Sequence, residues 1–256
     1  MATTTTTTSS LSSVRYSTGE VATSEAAKAF PWEAPIPVNP FWDSFEYCTA
    51  RSFLSNFSDA ELDKLPIDPS STADQETKLR LLLQLLMDKL AQEEAATSPP
   101  QSLYEVSYKH WYSLWAGIYT IQNKLNLPEA EQTVRMLVEK RPDQDNVVPS
   151  HMLAEYLVKV GKYEEAEATA RPVCAWMDAL PRLGKDSPQA LNARRFIAKA
   201  VWLQGLARRE EAEALVAELK GLVDGMGTGK FAVYQEEERR LNGELLADLG
   251  VVASAA

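Results

Sequence analysis

Two cysteines and two histidines are the side chains with which this chain could build a nucleophile–base pair. Cys48 and Cys174 lie far apart in the sequence, and so do His110 and His151. A cysteine nucleophile needs a base within hydrogen-bond reach, and no spacing here favours one. These residues are also too few for a zinc ligand set. We therefore expect no catalytic residue, no metal site and no cofactor.

The glycine-rich stretch GMGTGK, residues 225–230, is the next candidate, because glycine loops can cradle phosphates. A Walker loop follows a strand, has a glycine five positions before its Gly-Lys pair, and continues with Ser or Thr. Here Asp224 stands five positions before Gly229, Phe231 follows Lys230, and the preceding pattern is helical. The stretch is typical of a flexible linker.

Composition excludes several classes of partner. The 256 residues are 45% hydrophobic and 24% charged, so the chain can bury a core, and the net charge is -10. That charge is unfavourable for binding nucleic acid or an anionic membrane surface. No apolar run reaches the roughly 18 residues of a membrane helix. Two cysteines and the absence of a secretory h-region favour the cytoplasm.

The chain divides by composition into three parts. Residues 1–24 are rich in Ser and Thr and predict a disordered tail. Residues 25–73 contain a segment, 30–47, that we call the strap, because its prolines forbid a regular helix while its many aromatic residues favour burial. A short helix is expected from Ser58, which opens a capping-box pattern with Glu61.

Residues 74–250 carry apolar residues at helical spacing and predict an all-α body. Proline and glycine mark the helix ends, at Pro99, Pro128, Pro142 and Gly161. The pattern predicts a helix from Asp74, a helix over 102–125, helix pairs over 110–141, 149–183 and 188–224, and a terminal helix over 231–249.

Two of these pairs share a sequence pattern. MLAEYLVKVGKYEEAE, residues 152–167, matches FIAKAVWLQGLARREEAE, residues 196–213. The first helices align at an offset of 44, and the EEAE motifs align at an offset of 46. PEAEQTV, from Pro128, is a weaker third copy. Repeated helix pairs leave apolar faces that a neighbouring pair must cover, so the pattern predicts a stack.

The pattern over 153–167 resembles the tetratricopeptide repeat family, in its kinesin-light-chain-like branch. The linker LGKDSPQAL, residues 183–191, is similar to the connection typical of that branch, with Ser187 in place of His. The resemblance implies an α-solenoid of helical hairpins that acts as a protein–protein interaction scaffold. Leu125 replaces the turn glycine of the first pair, and Pro172 inside a second helix predicts a kink.

The resemblance also implies a concave groove, lined by the first helix of each pair, that holds a segment of a partner protein. Arg195 and Lys199, one helical turn apart, could clamp a carboxylate-bearing peptide; solvated charges on a helix are the alternative. The implied partner-binding residues are Tyr112, Trp115, Tyr119, His151, Glu155, Lys159, Arg195, Lys199 and Trp202.

The aromatic members of this set form a second stripe beside the buried one. Tyr108, Tyr112, Trp115 and Tyr119 indicate either a contact surface or a helix buried on both sides. Core packing is the more general fate of such a stripe. The strap could cover the stripe as a built-in ligand.

The sequence therefore favours a non-enzymatic adaptor or scaffold. One alternative is an accessory protein of a biosynthetic pathway that binds an enzyme or a small hydrophobic intermediate. Another is a self-associating helical module. An enzyme also stays open, because fold does not dictate function.

Overall fold

The structure is a computed structural model that describes residues 13–17, 30–99, 101–143 and 145–251. It is mostly helical, which confirms the all-α prediction. The chain divides into two compact units, residues 1–125 and 126–256, and each is described by itself. The predicted first helix pair, 110–141, has one helix in each unit.

Unit 1 contains five of the helices and one small sheet. Its strands, Val14–Arg15 and Ile36–Pro37, pair antiparallel. The helices are α1 (Tyr47–Leu54), α2 (Asp59–Leu62), α3 (Gln75–Ala96), α4 (Leu103–Val106) and α5 (Tyr108–Lys124).

The prediction that residues 1–24 are disordered is wrong for residues 13–17. Ile36 of the strap pairs with Arg15, whose guanidinium donates to the carbonyls of Trp42 and Phe45. Tyr16, the residue after Arg15, is also buried. Composition misses this segment because its order depends on the distant strap. Residues 1–12 and 18–24 lie outside the described residues.

The strap packs within unit 1. Its rings of Phe30, Phe41, Trp42 and Phe45 are buried. The Nζ of Lys78, at the start of α3, donates to the carbonyl of Pro40 at 2.8 Å and lies 5.5 Å from the centre of the Phe41 ring. The prolines prevent a regular helix in the strap, so burial of these rings, rather than helical hydrogen bonding, stabilises it.

Local signals explain several helix ends. The capping box of Ser58 and Glu61 is confirmed, and Asp74 caps α3 by accepting from the backbone N–H of Thr77. The helix predicted over 102–125 is interrupted at Ser107, where φ is -151° and ψ is 76°. A second capping box, Ser102 with Glu105, begins the one-turn helix α4 that precedes this break. The sequence analysis also missed α1.

Gly117 lets α5 approach its neighbours in unit 1 closely. A Cβ at this position would lie 3.0 Å from the carbonyl oxygen of Ser52, 3.1 Å from Asn56 Nδ2 and 3.2 Å from Leu86 Cδ1. Real Cβ atoms rarely make contacts this short, and the nearest atom is backbone, which moves little. The contact between α1 and α5 therefore requires glycine.

We expect Gly117→Val to lower the free energy of unfolding by about 2 kcal/mol, because the added methyl groups overpack this contact. Urea unfolding followed by circular dichroism measures the change. Gly221→Val is the matched control, since a Cβ at Gly221 meets nothing within 4 Å. Equal stability of the two variants would contradict the close approach.

Unit 2 is a run of six helices in which sequence neighbours pack on one another. The helices are α6 (Glu129–Glu139), α7 (Val148–Lys159), α8 (Tyr163–Ala179), α9 (Pro188–Leu203), α10 (Arg209–Gly225) and α11 (Gln235–Asp248). In addition, α7 packs on α9, and α9 on α11. One α-helix, α8, continues through Pro172.

The turns between paired helices use glycine in a left-handed conformation. Gly161, between α7 and α8, has φ 80°, and Gly205, between α9 and α10, has φ 113°. Other residues rarely adopt such angles, which explains the alignment of the two glycines.

Residues at matching repeat positions have matching burial. Leu153, Ala154 and Leu157 of α7 are buried, and so are their counterparts in α9. In the second helices the aligned alanines are fully buried, with no exposed surface. The counterparts are Ile197, Ala198 and Val201 in α9, and the alanines are Ala130, Ala166 and Ala212.

Two ion pairs between helix pairs also recur at matching positions. Glu131 accepts from Lys162 at 2.6 Å, and the aligned Glu167 accepts from Arg208, with Nη2 at 3.0 Å. Arg135 donates to Glu165 at 2.8 Å. Its aligned counterpart, Arg171, donates to Glu211 at 2.5 Å. The same side chains thus link one pair to the next.

Glu167 is the best-connected carboxylate of this set. Burial alone would raise its pKa, but hydrogen bonds from Arg208, Gln204 and Arg171 outweigh burial and lower the pKa to about 2. The ionised carboxylate therefore stabilises the fold above its unfolded pKa, and this contribution is lost as the pH falls toward 2.

We expect Glu167→Gln to lower the free energy of unfolding at pH 7 by about 1–2 kcal/mol, after allowance for solvent screening. The difference from wild type should shrink between pH 4.5 and pH 2, because the wild-type carboxylate becomes protonated there. Urea unfolding at several pH values measures it. Glu164→Gln, on the exposed face of the same helix, is the control. A pH-independent difference would contradict the charge-based explanation.

Candidate functional site

A groove in unit 2 brings together side chains from α7, α9 and α11. Its cavity volume is about 520 Å³. Because α9 packs on both α7 and α11, residues one helical turn apart on these helices face the same groove. The lining residues are Glu155, Val158, Lys159, Tyr163, Asn192, Arg195, Phe196, Lys199, Leu241, Glu244, Leu245 and Asp248.

Four of the predicted partner-binding residues line this groove. They are Glu155 and Lys159 on α7, and Arg195 and Lys199 on α9. At the offset of 44, Glu155 aligns with Lys199, so register alone places both on corresponding faces. Together they bring three cations and one carboxylate to the groove, and α11 adds Glu244 and Asp248.

His151 and Trp202 are placed differently within unit 2. The Nε2 of His151 lies 3.2 Å from the side-chain amide of Asn192, and its ring packs 5.1 Å from that of Phe196. Burial lowers the His151 pKa to about 4, so the ring is neutral at pH 7. Trp202 lines a second cavity and stacks on the Arg209 guanidinium at 3.5 Å.

The aromatic stripe of α5 belongs to unit 1, where Tyr119 is buried and Tyr108, Tyr112 and Trp115 are half-buried. Tyr119 is only 2% exposed, so its ring offers a partner almost no surface. Burial raises the pKa of Tyr112. Trp115 is partly exposed and packs against Trp111, with ring centres 6.4 Å apart. This placement agrees with core packing of the stripe rather than an open cleft.

Arg195 is buried although it lines the groove. Its Nη2 donates to the carboxylate and to the backbone carbonyl of Glu238, and its Nε donates to Asn242 Oδ1 at 2.8 Å. Both Arg195 and Glu238 are more than nine-tenths buried. The remaining nitrogen, Nη1, is buried and has no hydrogen-bond partner among the described residues.

Lys199 is more accessible than Arg195. Its Nζ donates to Asp248 Oδ2 at 2.7 Å, and its side chain is 30% exposed. An exposed pair of this kind contributes little to stability and exchanges readily with another carboxylate. Lys199 can therefore transfer its ion pair to a ligand at small cost.

The sequence analysis missed the contribution of α11 to the groove. Glu238 and Asn242 are spaced i, i+4, so they lie on one helix face and reach the same arginine. This face was not recognised because a run of Glu and Arg residues is usually solvated. Only the position of α9 shows that part of the run is buried.

Cys174 and the glycine-rich stretch 225–230, which the sequence offered as candidates for chemistry, have structural surroundings. Burial raises the pKa of Cys174 to about 11, which makes it an inert thiol at pH 7. Lys230 of the glycine-rich stretch donates to the carbonyl of Arg182 at 2.7 Å.

Over the described ranges, no group of three or more His, Cys, Asp or Glu residues could hold a metal ion. Among the helices described, none combines the length and apolarity that crossing a membrane requires.

Comparison of the chain with protein-family models, with curated proteins and with solved structures gives no match.

We expect Arg195→Met to lower the free energy of unfolding by about 3–5 kcal/mol, because it leaves the Glu238 carboxylate buried without its cation. The double variant Arg195→Met/Glu238→Leu should recover most of this loss, since apolar replacement of a buried pair is close to neutral. A double-mutant cycle by urea unfolding measures the coupling. Additive effects would contradict a buried ion pair.

Proposed function

We propose that this chain is a non-enzymatic adaptor of the tetratricopeptide-repeat type that binds an acidic or carboxylate-terminated segment of a partner protein in the groove of unit 2. The cytoplasm is the proposed compartment, and the low cysteine content, two in 256 residues, is compatible with it. The observation that carries the proposal is the convergence of three cations, Lys159, Arg195 and Lys199, on one groove.

The repeat assignment draws support from contacts as well as from sequence. The pairs Glu131–Lys162 and Glu167–Arg208 join successive helix pairs at aligned positions. A stack built from one repeated unit uses the same interface each time, so its contacts recur at the repeat spacing.

The partner's chemistry follows from the groove. The Nζ of Lys199 is accessible and pairs with the exposed Asp248, so a carboxylate supplied by a ligand can replace Asp248 at small cost. Arg195, one helical turn away, and Lys159 of α7 add positive charge to the groove. Glu155 and Glu244 stand in the same groove and favour a partner whose carboxylate is accompanied by a donor.

Partner capture tests the proposal with the variant Lys159→Glu/Lys199→Glu, which leaves Arg195 in place. Affinity purification from the native cell extract, read by quantitative mass spectrometry, should show at least one protein depleted about tenfold relative to wild type. That protein's acidic segments are then tested as peptides against both forms.

The matched control is Lys109→Glu/Lys185→Glu, which makes the same charge change at exposed positions outside the groove. It should retain the partner. Circular dichroism confirms that both variants are folded. If the groove variant and the control capture the same proteins in the same amounts, the proposed groove function is wrong.

A further inference from the structure

An apolar cavity of about 490 Å³ lies in unit 2 between α10 and α11. Apart from Leu245, it shares no lining residue with the groove. Its walls are mainly the apolar side chains Trp202, Val216, Leu219, Val223, Leu246 and Val251. Four charged residues complete the lining: Glu213, Lys220, Asp224 and Arg239.

The α10 side of this cavity repeats a surface that is covered one helix pair earlier. At the offset of 46, Val216 and Leu219 align with Ala170 and Val173 of α8. Ala170 and Val173 lie in a buried cluster with α9 and with Ala212 of α10. Val216 is partly exposed and faces the cavity. The earlier surface is thus covered by α9 and, through Ala212, by the following second helix, α10. Beside α10, α11 takes the place of α9, and in the described ranges no helix takes the place of α10.

The recurring ion pair indicates the same unfilled place beside α10. Glu131 and Glu167 each accept from a cation at the start of the next second helix, Lys162 or Arg208. Glu213 is the third aligned carboxylate and lines the cavity. Within the described residues, no cation pairs with Glu213. The series therefore predicts a cation at the start of a further helix.

Gly243 of α11 lines this cavity. A Cβ there would meet nothing within 4 Å, so a larger side chain at this position would extend into the cavity without displacing its neighbours.

We infer that this cavity is the docking site for an amphipathic α-helix of a partner protein, with chemistry that repeats that of α10. Such a helix presents a small residue and a leucine at i and i+3, as Ala212 and Leu215 do. It carries a cation four residues before the small residue, as Arg208 does, to pair with Glu213. Helix-in-groove recognition requires these anchors.

A second copy of this chain is a poorer occupant. The helices with the required pattern, α8 and α10, already bury their alanines inside unit 2, so a second copy would have to unpack one of them. A net charge of -10 also opposes self-association at low salt. The inference uses the repeat of the proposed function but concerns a different surface.

The test uses the full chain and a fluorescent peptide of residues 206–224, which carries Arg208, Ala212 and Leu215. We expect saturable binding by fluorescence anisotropy at about 0.15 M salt, where long-range repulsion is screened. Gly243→Leu should fill the cavity and weaken binding about tenfold or more. Gly221→Leu, an open helical position outside the cavity, should not.

A charge swap identifies the predicted ion pair. Glu213→Arg should weaken binding of the natural peptide about fivefold, and the peptide variant Arg208→Glu should restore it. A peptide with Ala212→Glu and Leu215→Glu should not bind. The groove variant Lys159→Glu/Lys199→Glu should bind the peptide as wild type does, which separates this site from the proposed groove function.

Three results would overturn the inference. One is no binding at peptide concentrations up to about 1 mM. Another is binding that Gly243→Leu leaves unchanged, which would indicate exchange with the chain's own α10. The third is dimerisation on sizing columns that Gly243→Leu abolishes, which would make a second copy the occupant.

Discussion

The buried ion pair between Arg195 and Glu238 is the constraint on which the position of α11, and with it the groove, depends. A guanidinium inside a protein is costly unless a carboxylate and further acceptors surround it. Here α11 supplies all of them, through Glu238 and Asn242, so its position against α9 follows from the charge of Arg195. One wall of the groove and one wall of the apolar cavity are faces of that same helix.

The helices in the rest of unit 2 are held together by many interactions that are individually weaker. Fully buried alanines at 130, 166 and 212 let second helices lie close to their neighbours. Exposed ion pairs such as Arg135–Glu165 contribute little individually. Recurring at aligned positions, these pairs favour one register between successive helix pairs, while burial of the apolar faces supplies most of the stabilisation.

Local periodicity predicted the helices of unit 2 well, since each has an apolar face and a glycine or proline at its ends. The groove position of Glu155 and Lys199 was predicted from the resemblance to the tetratricopeptide repeat, carried over by register. Local signals failed where distant residues decide the structure. Residues 13–17 are ordered by the strap, and α1 is followed by no strong stop signal. Arg195 looked solvated because no local pattern shows that Glu238 lies beside it.

The charge balance of the groove bears on what kind of partner it can select. Three cations and three carboxylates line it, so its field is patterned rather than uniformly positive. A uniformly acidic peptide would meet Glu155 and Glu244 as well as Lys159, and the repulsion would offset much of the attraction. A peptide that alternates its charges in register would satisfy both. Such a groove favours discrimination between partners over high affinity for any acidic segment, because each misplaced charge is penalised twice, by repulsion and by the pairing it fails to make.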